Sequence, residues 1–441
     1  MHRAFRSWLR FGMAACIISA FAALPAARAS QATAGTVKLT WEVTNDNFWP
    51  PIANIIIKAY TKIHPNVQIE LQKVDGTTYA QKVLLQASAG TLADIILTAD
   101  AFNIPFAARH VVLNMQPYVD QDPSYNIKDI YQNFLDLGRL TGQSGLYMIP
   151  VSADAVTTFY NKDMFKAAGV AFPQANWTYA QFLDAAQKLT KKDSSGKVVQ
   201  WGIDLAYWWA TLVPWLEGYG GSLLTPDGKH LSLSSAGSIA GFQAIQDLFV
   251  RYKVAVPPTE QAYYNKGLLS GKVAMAFTVH AAVPGYAQGI GKKFAWDVQQ
   301  MPSYPSGRHV NGMGAAGFAV SDNSHQRAAA WDVVKYIGSV PGQRALGATG
   351  SNVPVRASMI NDPAWRSYPL NNTAFITAIH FGITPPELPT DEALNCGTVY
   401  QGLLNTLLSN AFDKIIRGAP VASTLKAVDG QMNGCINSLG N

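Results

Sequence analysis

Between positions 37 and 98 the hydrophobic period switches repeatedly between two residues and three to four, and few folds accept that alternation. Val37, Leu39 and Trp41 alternate with polar residues, as in a strand with one face buried. Pro50 and Pro51 then open a segment in which Ile52, Ile55, Ile56, Ala59, Tyr60 and Ile63 recur at helical spacing. Proline fits a first helical turn because the N–H it lacks would have no intrahelical partner there. His64-Pro65-Asn66 stops that helix, and Val67, Ile69 and Leu71 alternate as a second strand. A second helix from about Thr78 to Ala89 ends at Gly90, and the run ADIIL at 93–97 reads as a short strand covered on both faces. A β-α-β-α-β order implies parallel strands joined by right-handed crossovers, so the chain is expected to be α/β.

The middle of the chain keeps the same mixture. Thr178-x-x-Gln181 is a capping box ahead of Phe182, Leu183, Ala186 and Leu189. Positions 235–253 form a further amphipathic helix, 273–277 a strand, and Ser324 is expected to cap a helix reaching Ile337. No fixed-period repeat and no Pro/Ser-rich linker divides the 441 residues. Two α/β lobes that share their connections fit better than domains strung in a row.

The amino terminus has the three parts of an export signal. Arg3, Arg6 and Arg10 precede an apolar stretch at 11–24, and Ala27-Arg28-Ala29 supplies a small-x-small site, so cleavage is expected after Ala29. The apolar stretch is shorter than the roughly 20 residues that span a bilayer, although an uncleaved anchor is the alternative. This segment also explains the formal charge of +6, which suggests a nucleic-acid binder. It carries four arginines and no acid, and without it thirty basic and twenty-eight acidic residues remain. The mature chain is then nearly neutral, with no basic stripe to track phosphates, and no nucleic-acid partner is expected. With 48% hydrophobic and only 14% charged residues, a disordered protein is excluded as well.

Cys396 and Cys435 are the cysteines of the mature chain. In an oxidising compartment they can pair, closing a loop of about 40 residues and adding roughly 4 kcal/mol in the chain-entropy model. Two free buried thiols are the alternative. Neither stands in a C-x-x-C pair, so a metal site is not expected, and no cofactor is.

Seven local motifs stand in a telling order: AYTKIHPNV at 59–67, ASAGTLADI at 87–95, FYNKDMF at 159–165, GGSLL at 220–224, GKVAM at 271–275, Met301-Pro302, and Asn352-Val353-Pro354. In that order, behind an export signal, the chain resembles the family 1 extracellular solute-binding proteins of ABC importers, a maltose-binding-protein-like, carbohydrate-binding family. The resemblance spans nearly all of 36–435. It implies a two-lobed periplasmic binding protein fold with a ligand cleft between the lobes and several hinge crossovers, near 147–151, 299–302 and 349–353. The implied lobes are 36–149 plus about 302–349, and about 150–301 plus 350–441. The implied partners are a carbohydrate-like small molecule and the permease subunits of an ABC transporter, with the protein acting as a periplasmic monomer.

Sugar recognition needs aromatic faces for C–H patches and planar polar groups for hydroxyls. Tyr207-Trp208-Trp209, with Trp215 nearby, is the strongest aromatic cluster and falls where relatives place a cleft segment. Adjacent Trp208 and Trp209 must point to different sides, so at least one is expected to line the cleft and the other to pack in the core. Trp41 ends the first strand, at the sheet edge where open α/β folds bind ligands. Asn45 in the following loop can supply an amide, or simply be solvated. Asp100 follows the ADIIL strand at the same edge, and Asp154 matches a ligand-contacting acid of some relatives; a helix cap or a surface ion pair is the alternative for each. His280 stands where many relatives carry a Gly-Pro-Trp turn, so a standard stacking platform is missing and ligand choice is expected to differ. Arg356 can donate bidentately into the cleft or lie at the surface.

Gly314 belongs to Gly312-Met313-Gly314-Ala315-Ala316-Gly317, which satisfies G-x-G-x-x-G literally. A dinucleotide fingerprint needs a strand before it and a helix after it, whereas here 318–320 reads as a strand. The resemblance instead makes this a glycine-rich cleft wall. Paired Tyr263-Tyr264 invites an iron-binder reading, but that pair sits elsewhere in ferric-ion binders. No G-x-S-x-G, H-E-x-x-H or Walker A sequence occurs. The chain is therefore expected to bind and not to catalyse. The alternatives are a secreted carbohydrate-active hydrolase, with Asp100 and Asp154 as its two carboxylates, a binder of a non-sugar solute, and a binder that feeds a sensor.

Overall fold

The computed structural model describes residues 35–100, 102–140, 143–205, 209–258, 267–366, 368, 370–384, 396 and 407–439. The expected export signal, together with Tyr207, Trp208, Tyr263 and Tyr264, lies outside them.

The alternating pattern at the start builds the first sheet. β1 (Val37–Thr44), β2 (Val67–Val74) and β3 (Ile95–Ala99) pair in parallel, with β1 in the middle. Helix Trp49–Ile63 connects β1 to β2, and helix Tyr79–Ala89 connects β2 to β3, ending on Gly90 in the left-handed conformation. Asp46 fixes the entry to the first of these helices, its carboxylate accepting the amides of Phe48 and Trp49 at 2.7 Å each.

The sheet is completed from far along the chain. β4 (Ile149–Ala155) and β10 (Asn311–Val320) pair antiparallel, and β10 also runs antiparallel to β3, with β11 (Gly382–Ile383) at its other end. The strand expected at 318–320 thus begins earlier, at Asn311, and takes in the whole GMGAAG segment. Glycine and alanine offer no hydrophobic contrast to alternate, which hides the strand from a periodicity search.

At Val156 the chain passes from β4 into β5 (Thr157–Asn161) of a second sheet. Its order is β6 (Lys191–Lys192), β7 (Val198–Leu205), β8 (Val273–Thr278), β5, β9 (Trp296–Gln299), with β7 and β8 parallel. The capping box at Thr178 and Gln181 is formed and opens helix Tyr179–Leu189. Helix Ala236–Phe249, capped by Ser235, ends four residues before the expected Lys253. The helix expected after Ser324 begins at Arg327, because Ser324 turns its hydroxyl to Asp94 and accepts the Gln326 amide instead.

There are two hydrophobic cores, and the first also takes Phe159, Ala276 and Val298 from strands of the second sheet. Trp41, Ile95, Ile96 and Phe318 belong to the first, and Phe182, Leu205, Phe277 and Phe412 to the second. The C-terminal stretch is divided between them, with Val353, Trp365 and Phe375 in the first core and Leu408, Leu425 and Ile436 in the second. A disulfide joins Cys396 to Cys435, with Cα atoms 5.9 Å apart, and ties helix Val421–Leu439 to the segment 39 residues before it. Among the described residues no helix is long and apolar enough to cross a membrane.

Candidate functional site

Parallel strands β1 and β3 end side by side, which brings Asn45 and Asp100 to one edge of the first sheet. The Asp100 amide donates to the Ala315 carbonyl at 3.0 Å and fixes the start of its loop against β10. Its carboxylate then lies against Gly314, where a Cβ would stand 2.2 Å from Oδ2. The same hypothetical Cβ would lie 3.7 Å from the ring of Trp209, the first residue of helix Trp209–Gly218 in the other half of the molecule. Gly312, two residues earlier on the same face of β10, admits the backbone of that helix: a Cβ there would meet the Ala210 carbonyl at 2.1 Å. Alternate glycines in β10 therefore let the element after β7 and the loop after β3 meet over bare backbone.

Three of the residues singled out in the sequence, Asp100, Trp209 and Gly314, converge in this way. Asp100 and Gly314 keep partial solvent exposure, while Trp209 is 5% exposed. Asn45 is exposed on the neighbouring loop, its amide held by the Val74 carbonyl at 2.6 Å. Phe48 and Phe102, in the loops after β1 and β3, bring partly exposed rings to the same edge. Sequence reading passed over both, although an aromatic within a few residues of a sheet's carboxyl edge is a usable signal.

Asp154 takes the capping role that was its alternative, and His280 is buried. Asp154 stands opposite Gly314 in the β4–β10 register, but its carboxylate accepts the amides of His280 at 2.7 Å and Ala281 at 2.9 Å, with the Ala155 amide at 3.0 Å. It thereby caps the short 3-10 turn His280–Ala282, as the capping alternative for this residue has it, and stays partly exposed. Burial pushes its pKa up to about 7 against the pull of those three backbone donors. The His280 ring is 1% exposed, with Phe375 at 4.6 Å and Trp365 at 5.8 Å between centroids. Packing among aromatics withdraws it from solute, and burial pulls its pKa down to about 4.

A histidine with a folded pKa below its ordinary 6.5 takes up its proton first in the unfolded chain. It therefore withdraws stability as the pH falls from about 6.5 toward 4. Replacing His280 by phenylalanine should remove that loss. Urea midpoints at pH 7 and pH 4.5 test it: the difference between variant and wild type should move in the variant's favour on acidification, and equal shifts would refute it.

Trp41 and Arg356 are corrected too. The period-2 pattern that identified β1 also sends Trp41 inward with Leu39 and Val43; it is fully buried and meets Phe318 edge to face at 4.8 Å. Trp215 likewise packs in the second core against Tyr179 and Tyr304. Arg356 is 2% exposed and neither reaches the cleft nor lies at the surface. Its guanidinium donates to the carbonyls of Gly338, Asn126 and Tyr125 and to Asp129. Among the described residues no group of three or more His, Cys, Asp or Glu is arranged to hold a metal ion.

The fold has relatives among known proteins. The family model described as bacterial extracellular solute-binding protein matches residues 50–344. A binding protein of Brucella abortus is 24% identical over 318 residues, covering 70% of this chain and 74% of its own. Among solved structures, an ABC substrate-binding protein of Listeria monocytogenes in complex with cycloalternan superposes with a TM-score of 0.76 at 19% identity, over 92% of this chain and 99% of that one. The GacH receptor of Streptomyces glaucescens, solved unliganded and with acarbose, gives 0.75 at 19% identity, over 91% and 99%.

Proposed function

The chain belongs to the bacterial extracellular solute-binding proteins, and from that premise we propose that it captures a sugar or sugar-like solute in the periplasm and hands it to an ABC permease. The observation that carries the reading is the meeting of Asp100, Gly314 and Trp209 where loops from the two halves converge. A carboxylate accepts two hydroxyls of a pyranose or polyol, the indole supplies an apolar wall, and the glycine leaves room between them. That both structural neighbours were solved with carbohydrate ligands supports the solute class.

The work is a population shift and not chemistry. Solute binds the closed arrangement of two lobes better than the open one and draws the protein toward it. A micromolar Kd corresponds to about −8 kcal/mol, within reach of one apolar wall and several hydrogen bonds. The lobes proposed to move are built on the two sheets, and export is proposed to follow cleavage after Ala29, giving a periplasmic monomer. A hydrolase gains no support, because Asp154, one of its two required carboxylates, is engaged with backbone amides.

Calorimetry against neutral sugars, oligosaccharides, polyols and sugar acids, with native mass spectrometry of co-purified solute, tests the proposal. At least one carbohydrate-like compound should bind, and Trp209→Ala should weaken it by about tenfold or more, the equivalent of 1.4 kcal/mol. A panel with no binder, and a protein that purifies without small molecule, would overturn it.

A further inference from the structure

Two stretches of chain, 351–355 and the turn at 280–282, are held at β4. On one side Ser152 donates its hydroxyl to the Asn352 side chain, and the Ala153 amide approaches the Val353 carbonyl at 3.4 Å. Just upstream, Gln343 donates to the Val151 carbonyl at 2.7 Å and accepts the Val355 amide at 3.1 Å, so the stretch from 351 to 355 is tied to β4. The turn at 280–282 follows β8 of the second sheet, and Asp154 of the first sheet holds it by two amides. The partner residues are 126 and 127 positions apart in sequence. Among the described residues, the carboxylate oxygens of Asp154 are the acceptors for the His280 and Ala281 amides.

We infer that Asp154 is the clasp at the pivot between the lobes: its carboxylate pins the 280–282 turn to β4 and limits how far the lobes swing before solute binds. The inference rests on the two-lobed, closing reading of the fold. It assigns Asp154 a positioning role through the backbone, in place of contact with solute. The His280 side chain adds a second polar tie, to the Ser351 backbone beside the stretch bound to β4. The His280 ring also packs on Phe375 and Trp365. Gly314, opposite Asp154 on β10, has no side chain with which to replace the carboxylate.

Hydrogen–deuterium exchange on the ligand-free, full-length mature protein reads the clasp directly and needs no solute. A failure of the sugar-binding proposal therefore leaves this test intact. In Asp154→Ala the amides of His280 and Ala281 should exchange at least about tenfold faster than in wild type, since both lose their acceptors. Small-angle scattering of the same sample should show a larger and broader radius of gyration. Exchange within twofold of wild type, with unchanged scattering, would overturn the inference. Should Asp154→Ala fail to fold, the wild-type protein still decides the matter. Its His280 and Ala281 amides should be protected by about a hundredfold or more over an unstructured chain, and unprotected amides there would exclude a clasp.

Discussion

Replacing Arg356 by alanine should cost about 3–5 kcal/mol of unfolding free energy, the range for removing one partner from a buried charged network. The guanidinium spreads its donors over four acceptors: Nε to the Gly338 carbonyl at 2.6 Å, Nη2 to Tyr125 at 2.9 Å, and Nη1 to Asn126 at 3.1 Å and to the Asp129 carboxylate at 3.3 Å. It also lies over the Tyr125 ring, 4.8 Å from its centroid. Truncation leaves the Gly338 and Tyr125 carbonyls without these donors, while Asn126 keeps the Asp129 amide at 3.1 Å, and each unpaired buried acceptor costs about 1–3 kcal/mol. Asp129 suffers less, because Ser358 continues to donate to it through amide and hydroxyl. Lysine should recover only a minor part, since a point charge cannot serve divergent acceptors that a planar fork fits. The measurement is the urea midpoint at unchanged m-value, and solute affinity of the folded protein should stay within about twofold, under half a kcal/mol. The reverse outcome, a normal midpoint with lost binding, would put Arg356 in the cleft, one of the two placements its sequence position allows.

That residue shows why some of the molecule was legible in its sequence and some was not. β1, β2, β3 and their two helices were readable because their periods differ and because Pro50, Pro65 and Gly90 punctuate them. The capping box at Thr178 was readable because both of its partners lie within four residues. Arg356 and the tie from Asp154 to the 280–282 turn were not, since those partners lie from 18 to 231 residues away, and burial of a charged group is a property of packing alone. Trp41 was misread for a related reason. β1 runs on to Thr44, so Trp41 lies within the strand and not at its end, and the alternation that located the strand also fixes the side chain inward. Asp100 and Gly314 came from two different arguments, one from strand order and one from family resemblance, and only the fold brings them into contact.

Gly314→Ala should reduce solute affinity by at least about a hundredfold, close to 2.7 kcal/mol, while leaving the fold intact. Gly314 sits in regular strand and does not carry a left-handed backbone, so alanine meets no conformational penalty and removes some of glycine's unfolded-state entropy. The cost is local. A Cβ 2.2 Å from Asp100 Oδ2 forces that carboxylate to move by about an ångström, and the Asp100 amide is already pinned to Ala315. Gly312→Ala provides the contrast. Its Cβ would strike the Ala210 carbonyl, which is backbone at the head of a helix and cannot swing aside. There stability should fall, by about 1–3 kcal/mol, because the overpacking is relieved only by shifting the helix. Adding Asp100→Ala to Gly314→Ala should cause little further loss of affinity, since both changes act on one contact and their effects should not add. If Gly314→Ala binds solute within threefold of wild type, the contact among Asp100, Gly314 and Trp209 does not hold the solute, and the site must be sought elsewhere along the edges of the two sheets.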